Sequence, residues 1–212
     1  SGSIETGKDG MGIYSDSGSV ELSGGYINFS GTDGIGIYAI NAAKIDNNAV
    51  LSMPENTYGI VLNTGSELIN RKSQTLSNDS VFVYSKGDSH IVNETGADIV
   101  MTGSRNVGLY MSEGGTLVNR GNITGNTGEA NIAIYNKNGS IENTGNIKTG
   151  DSVILDPEDA YANSYSVGLY GAETVSMKNT GDIEIGKSGV GFYTRKSAAE
   201  ALNEGNISSV SD

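Results

Sequence analysis

Apolar positions in this chain come in short alternating bursts, and none of them continues at helical spacing. The burst Val107-Gly108-Leu109-Tyr110 recurs as Met11-Gly12-Ile13-Tyr14, Ile35-Gly36-Ile37-Tyr38, Val81-Phe82-Val83-Tyr84, Ile132-Ala133-Ile134-Tyr135, Val167-Gly168-Leu169-Tyr170 and Val190-Gly191-Phe192-Tyr193. Tyr58-Gly59-Ile60-Val61 carries valine in the tyrosine slot. That slot falls at 14, 38, 61, 84, 110, 135, 170 and 193, so the steps are 24, 23, 23, 26, 25, 35 and 23 residues. Alternation with a period of two marks a strand buried on one face. It predicts Val107 and Leu109 inward, and Gly108 and Tyr110 outward.

A second phrase sets asparagine two residues after an apolar position, at Asn47, Asn70, Asn93, Asn119, Asn143, Asn179 and Asn203. Its steps track those of the first phrase, so both belong to one unit, and residues 116–150 carry the clearest copy. A period of this size signals stacked supersecondary units. Three short strands separated by Gly, Asn and Ser turns fill it. The expected fold is all-β: one parallel β-helix over residues 1–212, of about nine coils with 23–26 residues each. At roughly 4.8 Å per coil this makes a rod on the order of 40 Å long. Residues 2–14 match residues 181–193 at a constant offset of 179, so the chain is expected to begin inside a repeat and to be a segment of a longer array.

Asparagines facing inward at one turn can bond amide to amide along the stack. The tyrosine column, Tyr14, Tyr38, Tyr84, Tyr110, Tyr135, Tyr170 and Tyr193, has two readings. It is an outward strip of rings beside glycine gaps, suited to sugars or a protein partner, or a cross-rung aromatic ladder that stabilises the sheet. The early repeats are the least regular: Ser23 falls in the asparagine slot, Ala49 in the following glycine slot, and residues 54–56 and 71–74 read as loops outside the coil. Pro54 has no amide to donate and belongs at a turn. The single 35-residue step holds an inserted loop at residues 151–165. Inserts in solenoids map to loops on one face, often the binding face. The partner-binding candidates are therefore Asp156, Glu158, Asp159, Tyr161 and Tyr165 on the loop, with Tyr110, Tyr135 and Tyr170 beside it.

The 212 residues carry a formal net charge of −12, and the 13 Lys and Arg form no long run. That balance opposes nucleic-acid binding and adsorption to anionic lipid, and no apolar run approaches the length of a membrane span. Without cysteine there is neither a disulfide framework nor a thiolate metal site. The one histidine, His90, cannot complete a zinc sphere and is expected at a strand edge. Ser15-Asp16-Ser17-Gly18-Ser19 imitates a serine-protease neighbourhood, but it aligns with the turn Asn136-Lys137-Asn138-Gly139-Ser140, with His90 some three coils away. Asp151, Asp156, Glu158 and Asp159 are hard oxygen ligands without EF-hand spacing; they are the candidates for calcium in a chain otherwise expected to hold no metal or cofactor. Asp16, Asp46, Asp98, Glu142, Asp182 and Glu184 are dispersed by the repeat over coils and faces. Three or more carboxylates converging in one groove would instead favour glycan cleavage.

The alternation of Val107-Gly108-Leu109-Tyr110 with Asn119-Arg120-Gly121-Asn122-Ile123 resembles the passenger repeats of large fusobacterial type V (Va) autotransporter adhesins, the RadD-like group, over essentially the whole chain. The resemblance implies a right-handed β-helix on the extracellular face of the bacterial outer membrane, with flanking β-helix coils and a C-terminal membrane β-barrel in the full protein. The function expected with it is a non-enzymatic adhesin or stalk segment supporting attachment to host cells or other bacteria. Its partner would be a host-cell or microbial surface protein or glycan, with no nucleic acid and no membrane insertion of this segment. The alternative is a β-helical polysaccharide lyase or hydrolase.

Overall fold

The computed structural model describes residues 2–125, 128–196 and 200–210. Each turn of the chain lays one short strand into each of three sheets. The first sheet runs from Ser3–Thr6 to Ile207–Ser209 in nine strands. The tyrosine sheet, from Met11–Asp16 to Val190–Thr194, and the asparagine sheet, from Ser19–Leu22 to Glu200–Asn203, have eight each. Neighbours within a sheet are three elements apart in the chain and pair in parallel, giving an all-β parallel solenoid of about eight turns, close to the nine expected. Among the described residues no helix is long and apolar enough to cross a membrane.

The register stacks like on like, because only that pairing keeps each apolar face inside. Ile37, Ile60, Val83, Leu109, Ile134 and Leu169 form one inward column, and Ile45, Leu68, Ile91, Leu117, Ile141 and Met177 another. The first sheet adds Ile99, Ile123, Ile147 and Ile183. All are buried in one continuous core. Burying each such side chain contributes about 1.5–3 kcal/mol, which explains how a chain with modest apolar content can fold: the columns line up in one core along the stack.

Three expectations are corrected. First, the tyrosine strands do not alternate strictly. Gly108 and Leu109 are both buried while Val107 is half-exposed, and Phe82, in the glycine slot, is wholly buried. The register skips that slot, pairing Val81 with Val107 and Val83 with Leu109, so the strand bends there and turns two successive positions inward. A Cβ at Gly59 would lie 3.0 Å from Cδ2 of Phe82, whose ring takes the volume the glycine leaves. Second, Leu22, not Ser23, stacks on Asn47. Third, residues 71–74 are not all loop. Gln74 opens the strand Gln74–Leu76, is buried, accepts from the Leu51 amide at 2.9 Å and donates to the Ala49 carbonyl at 2.9 Å.

Candidate binding surfaces

The seven asparagines form an unbroken chain of amides. Nδ2 of each donates to Oδ1 of the next, Asn47 to Asn70 at 2.9 Å, Asn70 to Asn93 at 2.7 Å, Asn93 to Asn119 at 2.8 Å, Asn119 to Asn143 at 2.7 Å, Asn143 to Asn179 at 2.6 Å and Asn179 to Asn203 at 2.7 Å. The second amide hydrogen goes to a carbonyl two residues on, as Asn143 to Gly145 at 2.7 Å, or four on in Asn93, which donates to Ala97 at 2.8 Å, so the buried amide is satisfied. The glycine follows from the stacking: a Cβ at Gly145 would lie 2.0 Å from the Gly121 carbonyl oxygen. This column is scaffold.

Two further polar columns have no counterpart in the repeat reading. One is buried ahead of the tyrosine strands, where the Thr57 amide donates to Ser80 Oγ, the Ser80 amide to Asn106 Oδ1, the Asn106 amide to Asn131 Oδ1 and the Asn131 amide to Ser166 Oγ. Its signal was the small polar residue, Thr57, Ser80, Asn106, Asn131 or Ser166, before the five central bursts. The other is exposed ahead of the first-sheet strands, where Asp98, Asn122, Asn146 and Asp182 accept from the amides of the next turn.

In the tyrosine column the rings stack on one another. Centroids are 5.1 Å apart for Tyr84 and Tyr110, 4.4 Å for Tyr110 and Tyr135, 4.8 Å for Tyr135 and Tyr170 and 4.5 Å for Tyr170 and Tyr193. Tyr14 and Tyr38 stack separately at 5.8 Å, beyond Val61. The glycines expected to open gaps between rings face the core instead, so the ring faces of the long run lie against each other and not toward a ligand. Partial burial, then the neighbouring phenols Tyr110 and Tyr170, push the Tyr135 hydroxyl up to about 12; burial likewise raises Tyr110 and Tyr170.

The insert closes on itself before it reaches this column. Val153 and Ser164 form an antiparallel bridge, and Asn163 ties the loop internally, accepting from the Leu155 and Asp156 amides and donating to the Asp156 carbonyl. Asp159 caps the short helical turn Ala160–Ala162 by accepting from the Tyr161 amide, and Asp156 accepts from the Glu158 amide. These acids shape the loop. Asp151 accepts from the Lys187 amide at 2.7 Å, and among the described residues no group of three or more His, Cys, Asp or Glu could hold a metal ion. The four calcium candidates are therefore not gathered.

Between this loop and the tyrosine sheet lies an open groove of about 790 Å³. Its floor is Ile132, Val167 and Val190, stacked on successive turns. One wall is Tyr161, which is 100% exposed, with half-buried Tyr165; Tyr170, Tyr193 and Arg195 stand opposite. Of the sequence-derived candidates, Tyr161, Tyr165 and Tyr170 meet here, whereas Tyr110 and Tyr135 lie further along the stack and Asp156, Glu158 and Asp159 are exposed outside the lining. Arg195 was missed, because its place beside the loop comes from stacking across turns.

The catalytic candidates separate. Ser15 is buried, and His90 lies outward within the strand Ser89–Asn93, not at an edge, with Nδ1 against Thr116 Oγ1. Asp46 pairs with Arg71 at 2.9 Å. The expected dispersal of acids over faces is corrected in one respect: Asp98, Asp182 and Glu184 line one polar recess of about 630 Å³ on the first sheet. They do not converge. Asp98 is three turns from Asp182, roughly 14 Å at the strand spacing, and Glu184 is held by Lys148 at 2.7 Å.

Stacked amide and aromatic columns under one built-out loop define the class: a β-solenoid module whose regular turns are support and whose insert makes the groove. A family model, the BigA third pectate lyase-like domain, matches residues 1–212, and the chain belongs to that family. BigA is an autotransporter-type adhesin; the match supports a β-helical autotransporter passenger domain, and not the fusobacterial RadD-like group. No curated protein and no solved structure matches the chain.

Proposed function

We propose that the chain is a non-enzymatic binding segment of a passenger domain displayed at the bacterial surface. In this reading the solenoid is a rigid support, and the groove under residues 151–165 meets a host-cell or microbial surface partner. The observation that carries the reading is the groove: at about 790 Å³ it falls within the range of ligand sites and joins exposed aromatic rings to an apolar floor. The surface location rests on the autotransporter class of the family. The test is attachment of beads coated with the chain to epithelial cells and to bacteria, with residues 153–164 intact or excised. Attachment lost on excision, with an unchanged circular dichroism spectrum, is the expected result; equal attachment by both refutes it.

A second reading, glycan cleavage, is favoured by the recess holding Asp98, Asp182 and Glu184 and by the family's pectate lyase-like description. Spacing and pairing of those carboxylates speak against hydrolysis, which needs two of them across one bond; lyase cleavage by β-elimination sets no such requirement. Release of unsaturated or reducing ends from polygalacturonate, abolished in Asp182→Asn, would establish it.

A further inference from the structure

We propose that the groove takes a polypeptide segment of a partner protein, seating an apolar side chain on Ile132, Val167 and Val190 and holding a nearby Asp or Glu carboxylate with Arg195. This rests on the binding reading above and names the chemistry of the ligand.

Three observations carry it. Arg195 differs from the other arginines. Arg71, Arg105 and Arg120 each pair with an acid of the preceding turn, Asp46 at 2.9 Å, Asp79 at 2.6 Å and Glu94 at 3.2 Å. In the turn before Arg195 the position stacked on it is Ala172, and the adjacent acid, Glu173, is taken by Lys196 at 3.2 Å and Lys137 at 4.0 Å. Lys196, then Lys137 and Arg195, hold the Glu173 carboxyl below the usual range, so Arg195 feels Glu173 without forming an ion pair to it. Among the described residues the Arg195 guanidinium has no ion pair or side-chain hydrogen bond, in a chain whose net charge is −12. An unpaired guanidinium beside a partly desolvated groove is a ready carboxylate receptor, able to bind both oxygens at once.

The lining then decides between protein and glycan. The lining side chains include no amide and no carboxylate, and their polar groups are the tyrosine hydroxyls and Arg195, few for a polyhydroxylated ligand. Polyhydroxylated rings over Val167 and Val190 would leave hydrogen bonds unmade, at a cost, whereas a leucine or phenylalanine side chain would release water from both surfaces. Finally, Tyr161 and Tyr165 supply aromatic rings of the kind that anchors protein interfaces.

The test is an array of short N-acetylated peptides that place Leu or Phe near Asp or Glu, each beside its Asn or Gln twin, with neutral and uronate glycans on the same surface. Hits are quantified by fluorescence anisotropy. Acidic peptides are expected to bind about tenfold more tightly than their amide twins. R195Q should erase that preference, R195K should keep part of it, and Y161A should weaken acidic and amide peptides alike, all with unchanged melting curves because both positions are exposed. No acid preference, an R195Q variant that binds like the parent, no peptide binding, or glycan binding alone each overturns the proposal. Bead attachment that needs residues 153–164 but ignores R195Q would overturn it while leaving the binding function standing.

Discussion

Replacing Asn143 by alanine tests whether the amide column is structural in the way its geometry implies. Asn143 is fully buried and takes part in three hydrogen bonds: it accepts from Asn119 Nδ2 at 2.7 Å and donates to Asn179 Oδ1 at 2.6 Å and to the Gly145 carbonyl at 2.7 Å. The alanine variant leaves an amide hydrogen of Asn119, the Asn179 oxygen and the Gly145 carbonyl facing a void on adjacent turns. An orphaned buried polar group costs about 1–3 kcal/mol. Some relaxation on either side brings the total to about 3–6 kcal/mol. In a chain of this size each kcal/mol lowers Tm by about 2–4 °C, so the drop should be roughly 6–24 °C. The assay is thermal unfolding followed by circular dichroism, with Asn203→Ala as the control. Asn203 makes the same kinds of bond, to Asn179 at 2.7 Å and to Gly205 at 2.6 Å, but it is exposed and water can replace it. Its variant should lose no more than about a third as much. An Asn143→Ala shift under about 2 °C, or one equal to that of Asn203→Ala, refutes the argument that an uninterrupted buried column is what makes each amide matter.

Three shorter expectations follow from the same stacking. Gly145→Ala places a Cβ 2.0 Å from the Gly121 carbonyl oxygen, whereas Gly7→Ala meets nothing within 4 Å; denaturant unfolding should show a loss above about 3 kcal/mol for the first and under about 0.5 kcal/mol for the second. The Tyr135 hydroxyl, raised to about 12 in the folded chain, sits near 10 when unfolded. The folded state therefore holds that proton more tightly, so Tm should fall as pH rises from about 10 to about 12, and Tyr135→Phe should flatten that fall while leaving the shape of the profile below about pH 10 as in the parent. Excising residues 153–164 removes a loop whose ends already meet, with backbone bonds of 2.8 and 2.9 Å between Val153 and Ser164; Tm should change by less than about 3 °C, and a larger loss would show that the loop supports the core.

The repeat was legible because a parallel stack writes the same requirement into every turn. Leu109 and Ile134 must both be apolar, and Asn119 and Asn143 must both be asparagine, since each is the other's environment. What was not legible depends on where the chain bends. Strict alternation assumes a straight strand, and it sent Gly108 outward; the bend turns that slot into the core, where Phe82 fills the space beside Gly59. Gln74 looked like loop because it is polar, yet it answers the Leu51 amide and the Ala49 carbonyl inside the coil. The insert was visible as one long step from Tyr135 to Tyr170. That its groove would enlist Ile132, Val190 and Arg195 was not, because those residues come from the turns on either side of the insert's own and meet only through stacking.

The place of the insert follows from the same columns. It enters after the strand Ile147–Thr149 and leaves before Val167–Gly171, at the corner where the buried polar column passes from turn to turn. Ser166 sits at the exit and keeps that column whole: its Oγ accepts from the Asn131 amide at 3.1 Å and donates to the Asp151 carbonyl at 2.8 Å, while its own amide donates to Ser152 Oγ at 2.9 Å. Entry and exit are thus tied to each other at the corner, and the turns on either side stay in register, Ile132 on Val167 and Tyr135 on Tyr170. A column satisfied in one register only makes any slip leave buried donors unpaired. A solenoid locked in this way can carry a long loop at one corner without losing its alignment, and the loop gains in return an apolar floor and the stacked rings of Tyr170 and Tyr193, both held by the turns beneath it.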